Sequence, residues 1–351
     1  MSRSGGRTTD PINPFEGWRD PLPTALQRRG FTENTVEVTE GVSVNYVRGP
    51  AGGRPLVLIP AQMGTWRTYA RSAADLSTDF EVYAVDVPGH GASSWTPGRY
   101  SWDEVGGHLR TFLRDVVGGP AIVSGNSSGG IFALWLAAEA PECVEAIVFE
   151  DAPVFSVEWP RFRDRDRFVY NGLVHAVDVL GNQENRRLAD FFRGQGLPVS
   201  RRRTKRMPDA VVDVLDRGVR RWERRHPGAP SGFSAWWAPT SFGDLFRSLS
   251  MFDPDFARSF VDGRMYGGFS HEEALRAVGQ PILLMHARWM RTDQHGLVGA
   301  LDDDDVRRVV HLAPQTTVVH SGANHVIHRY KRRMFVRSIQ DFARTLPAAR
   351  D

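Results

Sequence analysis

Short apolar runs recur along the chain, separated by polar turns rich in glycine and proline, with segments of helical period between them. Pro55 to Ile59, Phe80 to Val87, Ala121 to Val123, Ala146 to Phe149, Pro281 to Met285 and Thr316 to His320 are too short for helices and read as strands. Ile131 to Ala140 reads as a helix ended by Pro141, and Tyr330 to Leu346 as an amphipathic one. Before Pro281 to Met285, Phe269 to Leu275 reads as a helix with Ser270 as N-cap and Glu273 at its third position. Strands alternating with helices predict the α/β class, a mostly parallel sheet flanked by helices. No internal repeat is visible.

Three stretches fall outside that rhythm. Residues 1–30 are a polar arm with scattered Pro and Gly, expected to drape over the body. Residues 152–250 are too long for a loop and are expected to form a helical cap, leaving 31–151 and 251–351 as the core. Gly228 to Gly232 would suit a hinge that lets the cap open. Arg201 to Arg203, Lys205, Arg206, Arg217, Arg220, Arg221, Arg224 and Arg225 are interspersed with Asp209, Asp213, Asp216 and Glu223. Mixed charge at helical spacing marks a solvated face rather than a nucleic-acid surface.

The chemistry concentrates just past the run Ala121 to Val123. Gly125-Asn126-Ser127-Ser128-Gly129 spells G-x-S-x-G between a strand and a helix. Glycines two places either side of the serine let a strand turn sharply into a helix and project the hydroxyl above the sheet. Ser127 is therefore the candidate nucleophile. A serine hydroxyl needs a base, and the base an orienting acid. His325 follows the last strand, in Ser321-Gly322-Ala323-Asn324-His325, and is the candidate base. His286, His320 and His328 are structural or pocket-lining alternatives.

In these features the chain resembles the α/β-hydrolase family over nearly its whole length outside the arm. Pro55 to Ile59 with Pro60-Ala61-Gln62-Met63-Gly64 is similar to that family's third strand and oxyanion loop, and Phe80 to Val87 with Pro88-Gly89-His90-Gly91-Ala92-Ser93 to its fourth strand and following turn. Pro60-Ala61 replaces the usual His-Gly, so the resemblance implies an oxyanion hole made by the N–H groups of Gln62 and Ser128. His90 is expected to shape its turn without doing chemistry. Where the family usually has its acid, after the seventh strand, the chain reads His286-Ala287-Arg288-Trp289-Met290. The other location is the end of the sixth strand, which runs into Glu150-Asp151. Asp151 stands at the offset from Ser127 found in haloalkane dehalogenases and zearalenone-lactonase-like hydrolases. It is the first choice, Glu150 the second and Asp293 the third; neighbours on a strand face opposite ways, so only one of the pair readily reaches His325.

The resemblance implies a serine hydrolase that cleaves a carboxylic ester or lactone through an acyl-enzyme, without metal or cofactor. Many aromatic residues fall in the expected cap, and with them a bulky apolar or aromatic substrate is expected; the similarity of Ser127-Ser128-Gly129-Gly130, an acid after the sixth strand and a large cap to zearalenone lactonases implies zearalenone as a candidate. Met63, Phe155, Trp236, Trp237, His286 and Trp289 are the candidate pocket residues. A receptor-like ligand binder, an acyltransferase or a carbon–carbon bond hydrolase would carry the same motifs. Serine rather than a carboxylate at 127 disfavours dehalogenation. The chain has 351 residues, 41% of them hydrophobic, a formal net charge of +3 and a single cysteine, Cys143. That cysteine excludes an internal disulfide. No run is long enough to span a bilayer, and the N-terminus has no apolar signal region, so a cytoplasmic enzyme is expected. The expected partner is a small-molecule ester or lactone, with no nucleic acid and no membrane; homo-oligomerisation is left open. Asp302 to Asp305 is expected to cap a helix rather than hold calcium.

Overall fold

Side-chain alternation decides what each face of the sheet touches. The structure, a computed structural model, describes residues 12–182, 186–200, 203–236 and 240–347. Its main sheet has strands β1 (Thr32–Thr39), β2 (Val42–Arg48), β3 (Arg54–Ile59), β4 (Phe80–Val85), β5 (Ala121–Asn126), β6 (Val144–Glu150), β7 (Ile282–His286) and β8 (Thr316–His320). They lie in the order β1-β2-β4-β3-β5-β6-β7-β8. β2 runs antiparallel to β1 and β4, and the other neighbouring pairs are parallel. β5 and β7 are buried along their whole length, and each opens on an apolar run, Ala121 to Val123 and Ile282 to Met285.

Ten helices are used below: α1 (Ala70–Leu76), α2 (Trp102–Phe112), α3 (Ser128–Glu139), α4 (Arg167–Leu180), α5 (Asp209–Arg225), α6 (Thr240–Ser250), α7 (Pro254–Asp262), α8 (His271–Ala277), α9 (Asp303–Leu312) and α10 (Arg332–Thr345). One sheet face, with Leu56, Leu58, Ile122, Ala146, Val148 and Met285, packs against α1 and α10 through Phe335, Ile339 and Phe342. The other, with Val57, Ile59, Val123, Ile147, Phe149 and Leu284, packs against α2, α3, α8 and α9. α3 is buried all round, as its uniformly apolar sequence requires. Ser270 caps α8, its hydroxyl accepting the Glu273 N–H. Asp302 and Asp305 form a reciprocal capping box at α9, the role expected of that acidic run.

Between β6 and β7 the chain inserts α4 to α8. The insertion is not wholly helical: Gly196–Ser200 and Arg203–Arg206 pair as an antiparallel hairpin. Pro198 disfavours a helix there and is tolerated in a strand with a free edge. α7 packs on α4, while the Asp253 N–H to Gly89 O bond of 2.9 Å ties its start to the turn after β4. The expected hinge is a packed connection: Ser231 N–H donates to Ser250 Oγ, its hydroxyl to Glu223, and a Cβ on Gly232 would lie 2.6 Å from the Trp222 ring. The described part of the arm is held by Asn13, buried, whose amide donates to Gly91 O and Ser93 O. Leu26, expected within that polar arm, is instead part of the core.

Candidate active site

Ser127 closes β5 and opens α3 with φ 54 and ψ −124, a conformation a non-glycine residue adopts only where its surroundings enforce it. The two flanking glycines are the enforcement. A Cβ on Gly125 would lie 2.1 Å from the Gly129 backbone, and one on Gly129 would lie 2.3 Å from Ile59 O. Strand, turn and helix can approach this closely only without those side chains. The Ser127 N–H donates to Glu150 O at 3.1 Å, binding the elbow to the end of β6.

Asp151 lies just past β6, 1% exposed and also left-handed, with φ 48. Its Oδ1 accepts the Ala287 N–H at 3.1 Å and its Oδ2 lies 2.7 Å from His325 Nδ1. That contact puts the Nδ1 proton toward the carboxylate and leaves Nε2 of a neutral ring as the basic nitrogen. Asn126 Nδ2 donates to His325 O at 3.0 Å and to Glu150 O at 3.0 Å, so the residue before Ser127 also holds the histidine loop. The Ser127 hydroxyl forms no hydrogen bond with any described residue, His325 included. His325 is 41% exposed at its side chain. Burial lowers its affinity for a proton, but the Asp151 hydrogen bond and the charges of Asp151 and Glu150 outweigh this and raise its pKa above the usual imidazole value.

Glu150 faces the other way. Its carboxylate is fully buried and takes the main-chain N–H and Nδ1 of His328, at 2.7 and 2.8 Å, rather than His325. Asp293 is exposed on the turn between the short strands Met290–Thr292 and Gly296–Val298. The Gln62 N–H points to Ser128 Oγ at 2.9 Å, and Met63 shares that loop with φ 62.

The other candidate pocket residues are engaged elsewhere. Phe155 is 1% exposed, its ring under the Arg308 guanidinium at 3.9 Å. His286 has one ring nitrogen against Leu301 O and the other against His320. Trp289 donates to Asp303 at the start of α9. Trp236 is 98% exposed, and Trp237 lies outside the described residues. The aromatic residues of the insertion largely pack on one another: Phe191, Phe192, Phe233, Phe242 and Phe246 are in successive ring contact, and Phe162 meets Tyr170 edge-on. They form the insertion's own core. His90 is buried against Phe252 and Phe256 within its turn. The buried Glu150–His328–Tyr69 group had no sequence signal beyond a histidine three residues after His325. Among the described residues no group of His, Cys, Asp and Glu could hold a metal, and no helix is long and apolar enough to cross a membrane.

A family model described as the alpha/beta hydrolase fold matches residues 54–288. Among curated proteins, a lipase of Mycobacterium tuberculosis is 30% identical over 138 residues, 39% of this chain and 50% of the lipase. An esterase of the same organism is 44% identical over 69 residues, 19% of this chain and 23% of the esterase. The matched stretches thus span half or less of these relatives. The crystal structure of the enol-lactonase from Burkholderia xenovorans superposes with a TM-score of 0.59 at 15% identity, covering 89% of this chain and all of that one, a likeness of fold. With more than half of its length matched and the eight-stranded sheet carrying a serine at the elbow after β5, the chain belongs to the alpha/beta hydrolase fold family.

Proposed function

We propose that the protein is a serine hydrolase that cleaves a carboxylic ester or lactone through an acyl-enzyme, with Ser127 as nucleophile, His325 as base and Asp151 as the orienting acid. The observation that carries this reading is the 2.7 Å bond from His325 Nδ1 to Asp151 Oδ2 on the loop that Asn126 holds beside the elbow. Ser127 Oγ attacks the carbonyl carbon while His325 Nε2 takes its proton. The proton then passes to the leaving oxygen, and a water activated by the same nitrogen hydrolyses the acyl-enzyme. The Ser127–His325 hydrogen bond that this step needs forms when substrate arrives.

Two N–H groups face the developing oxyanion, those of Ser128 and Gln62. The first opens a twelve-residue helix and has the positive end of the helix dipole behind it. The second is occupied by the Ser128 hydroxyl, which turns away as the oxyanion forms. Membership of the fold family and the similarity to a lipase and an esterase favour an ester or lactone as substrate. A specifically aromatic substrate such as zearalenone rests on the sequence resemblance alone, because the insertion's aromatic rings pack among themselves. Purified protein is expected to turn over p-nitrophenyl esters and to be labelled by a fluorophosphonate. Ser127→Ala is expected to lose both while keeping its circular dichroism spectrum. Undiminished labelling of that variant sinks the reading, and a panel of aryl esters and lactones, zearalenone included, separates the substrate classes.

A further inference from the structure

Behind Asp151 and His325 stands a second carboxylate and imidazole that the proposed chemistry does not use. Glu150 ends β6 on the sheet face of Val148 and Met285, where its carboxylate is fully buried. A charge in that position is tolerated only if donors satisfy it. His328 supplies two, its main-chain N–H at 2.7 Å and its Nδ1 at 2.8 and 2.9 Å from the two oxygens. The Tyr69 hydroxyl, 3.2 Å from Oε2, is shared with Ile59 O. The Tyr69 and His328 rings lie 4.0 Å apart, and burial, reinforced by Glu150, pushes the Tyr69 hydroxyl pKa well up. His328 Nε2 is buried with no partner. A proton on Nε2 would be an orphan donor, whereas one on Nδ1 faces the Glu150 carboxylate.

We propose that Glu150 is a positioning residue for the catalytic base, gripping the segment 325–328 through His328 from one side of β6 while Asp151 grips His325 from the other. The proposal rests on the serine-hydrolase reading. The two carboxylates are adjacent in sequence and reach opposite faces, and the residues they hold are three apart on one turn. Two further bonds complete the clamp: Asn126 Nδ2 to His325 O at 3.0 Å and Ser72 Oγ to His328 O at 3.0 Å. His325 stands half-exposed on a loop, so its ring direction depends on how firmly its main chain is held. Misplacement by about an ångström costs on the order of a hundredfold in rate.

The test measures kcat and KM on a p-nitrophenyl ester, together with the fluorophosphonate labelling rate, per folded molecule. Glu150→Ala removes both acceptors of His328 and is expected to lower kcat and labelling at least about 30-fold, with KM within about threefold. Glu150→Gln keeps one acceptor oxygen and is expected to fall between that variant and the wild type. A Glu150→Ala protein that melts lower yet keeps kcat and labelling within twofold overturns the proposal, since the carboxylate would then serve stability alone. So does a parallel change of kcat and KM, which would mean a distorted pocket. Should the Glu150 variants fail to fold, His328→Gln, whose amide can still donate to Glu150, and His328→Ala take their place. The proposal requires kcat to fall in the order wild type, Gln, Ala, and equal kcat in all three overturns it. If wild-type protein is not labelled at Ser127, the serine-hydrolase reading fails instead, and the two failures are told apart by the wild-type lane.

Discussion

At Asp151 the two carboxylate oxygens have separate tasks: Oδ1 accepts the Ala287 N–H and Oδ2 the His325 Nδ1–H. An asparagine there cannot accept at both positions. Asp151→Asn is expected to turn its amide toward the ring, favour the wrong tautomer and lower kcat by about 10⁴-fold. The same bond sets the pH dependence. Burial works against a charged His325, but Asp151 and Glu150 prevail and hold its pKa above the ordinary 6.5. The base must be neutral to act, so log(kcat/KM) of the wild type is expected to rise with pH to a midpoint above 6.5, and Asp151→Asn to move that midpoint down. A wild-type midpoint below 6.5 in a pH–rate series removes Asp151 from this role. The elbow itself was legible because only glycine fits at 125 and 129, where a Cβ would lie 2.1 to 2.3 Å from neighbouring backbone atoms. The choice between Glu150 and Asp151 was open because a strand end offers both faces, and sequence does not say from which side a distant loop arrives.

Elements were read from sequence best where one face of packing decided them. The parallel strands of the sheet centre and the cap of α8 fall close to where apolar runs and capping residues put them. The insertion was legible as an element but not in its contacts, since an aromatic ring in a cap serves core or pocket equally well from sequence alone. Charge adds to the apolar contacts that dock the insertion on the core. Arg161 binds Asp305 of the α9 capping box through both terminal nitrogens and Asp166 through Nε, and Arg291 joins Asp166 to Asp302. Asp166 and Asp305 are 2% and 5% exposed at their side chains, so removing the guanidinium takes the bidentate partner from a nearly buried Asp305 and leaves Asp166 to Arg291. Arg161→Ala is expected to lower the free energy of unfolding by about 3 to 5 kcal/mol, measured by urea denaturation at neutral pH. A loss below about 1 kcal/mol would place the pair among the weak surface bridges.

For the molecule as a whole, buried imidazoles couple stability to acid. His271 is 1% exposed, its Nδ1 accepting the Phe155 N–H at 2.9 Å, and burial with the nearby Arg308 charge lowers its pKa to about 3. His90 is 2% exposed, and burial lowers its pKa to about 4 against the raising effect of the Pro88 and Val87 carbonyls. Both titrate near 6.5 once unfolded, so the stability they contribute is complete above that value and is lost as pH falls toward the folded values. At pH 5 linkage makes the loss roughly 2 kcal/mol for each. Other groups, Asp86 and His325 among them, act in the opposite sense. Burial raises the Asp86 pKa to about 6 despite bonds from Asn45, Trp66 and Ala92, so on falling to pH 5 it returns roughly 1 kcal/mol. His325, whose pKa is raised, is likewise favoured by acid. The net slope of the wild type therefore mixes signs, and one substitution isolates a single contribution. His271→Gln keeps an acceptor for the Phe155 N–H and removes the titration. It is expected to lose about 2 kcal/mol less than the wild type between pH 7 and pH 5 in urea denaturation. Parallel losses in the two proteins would mean that His271 is not held neutral by its burial.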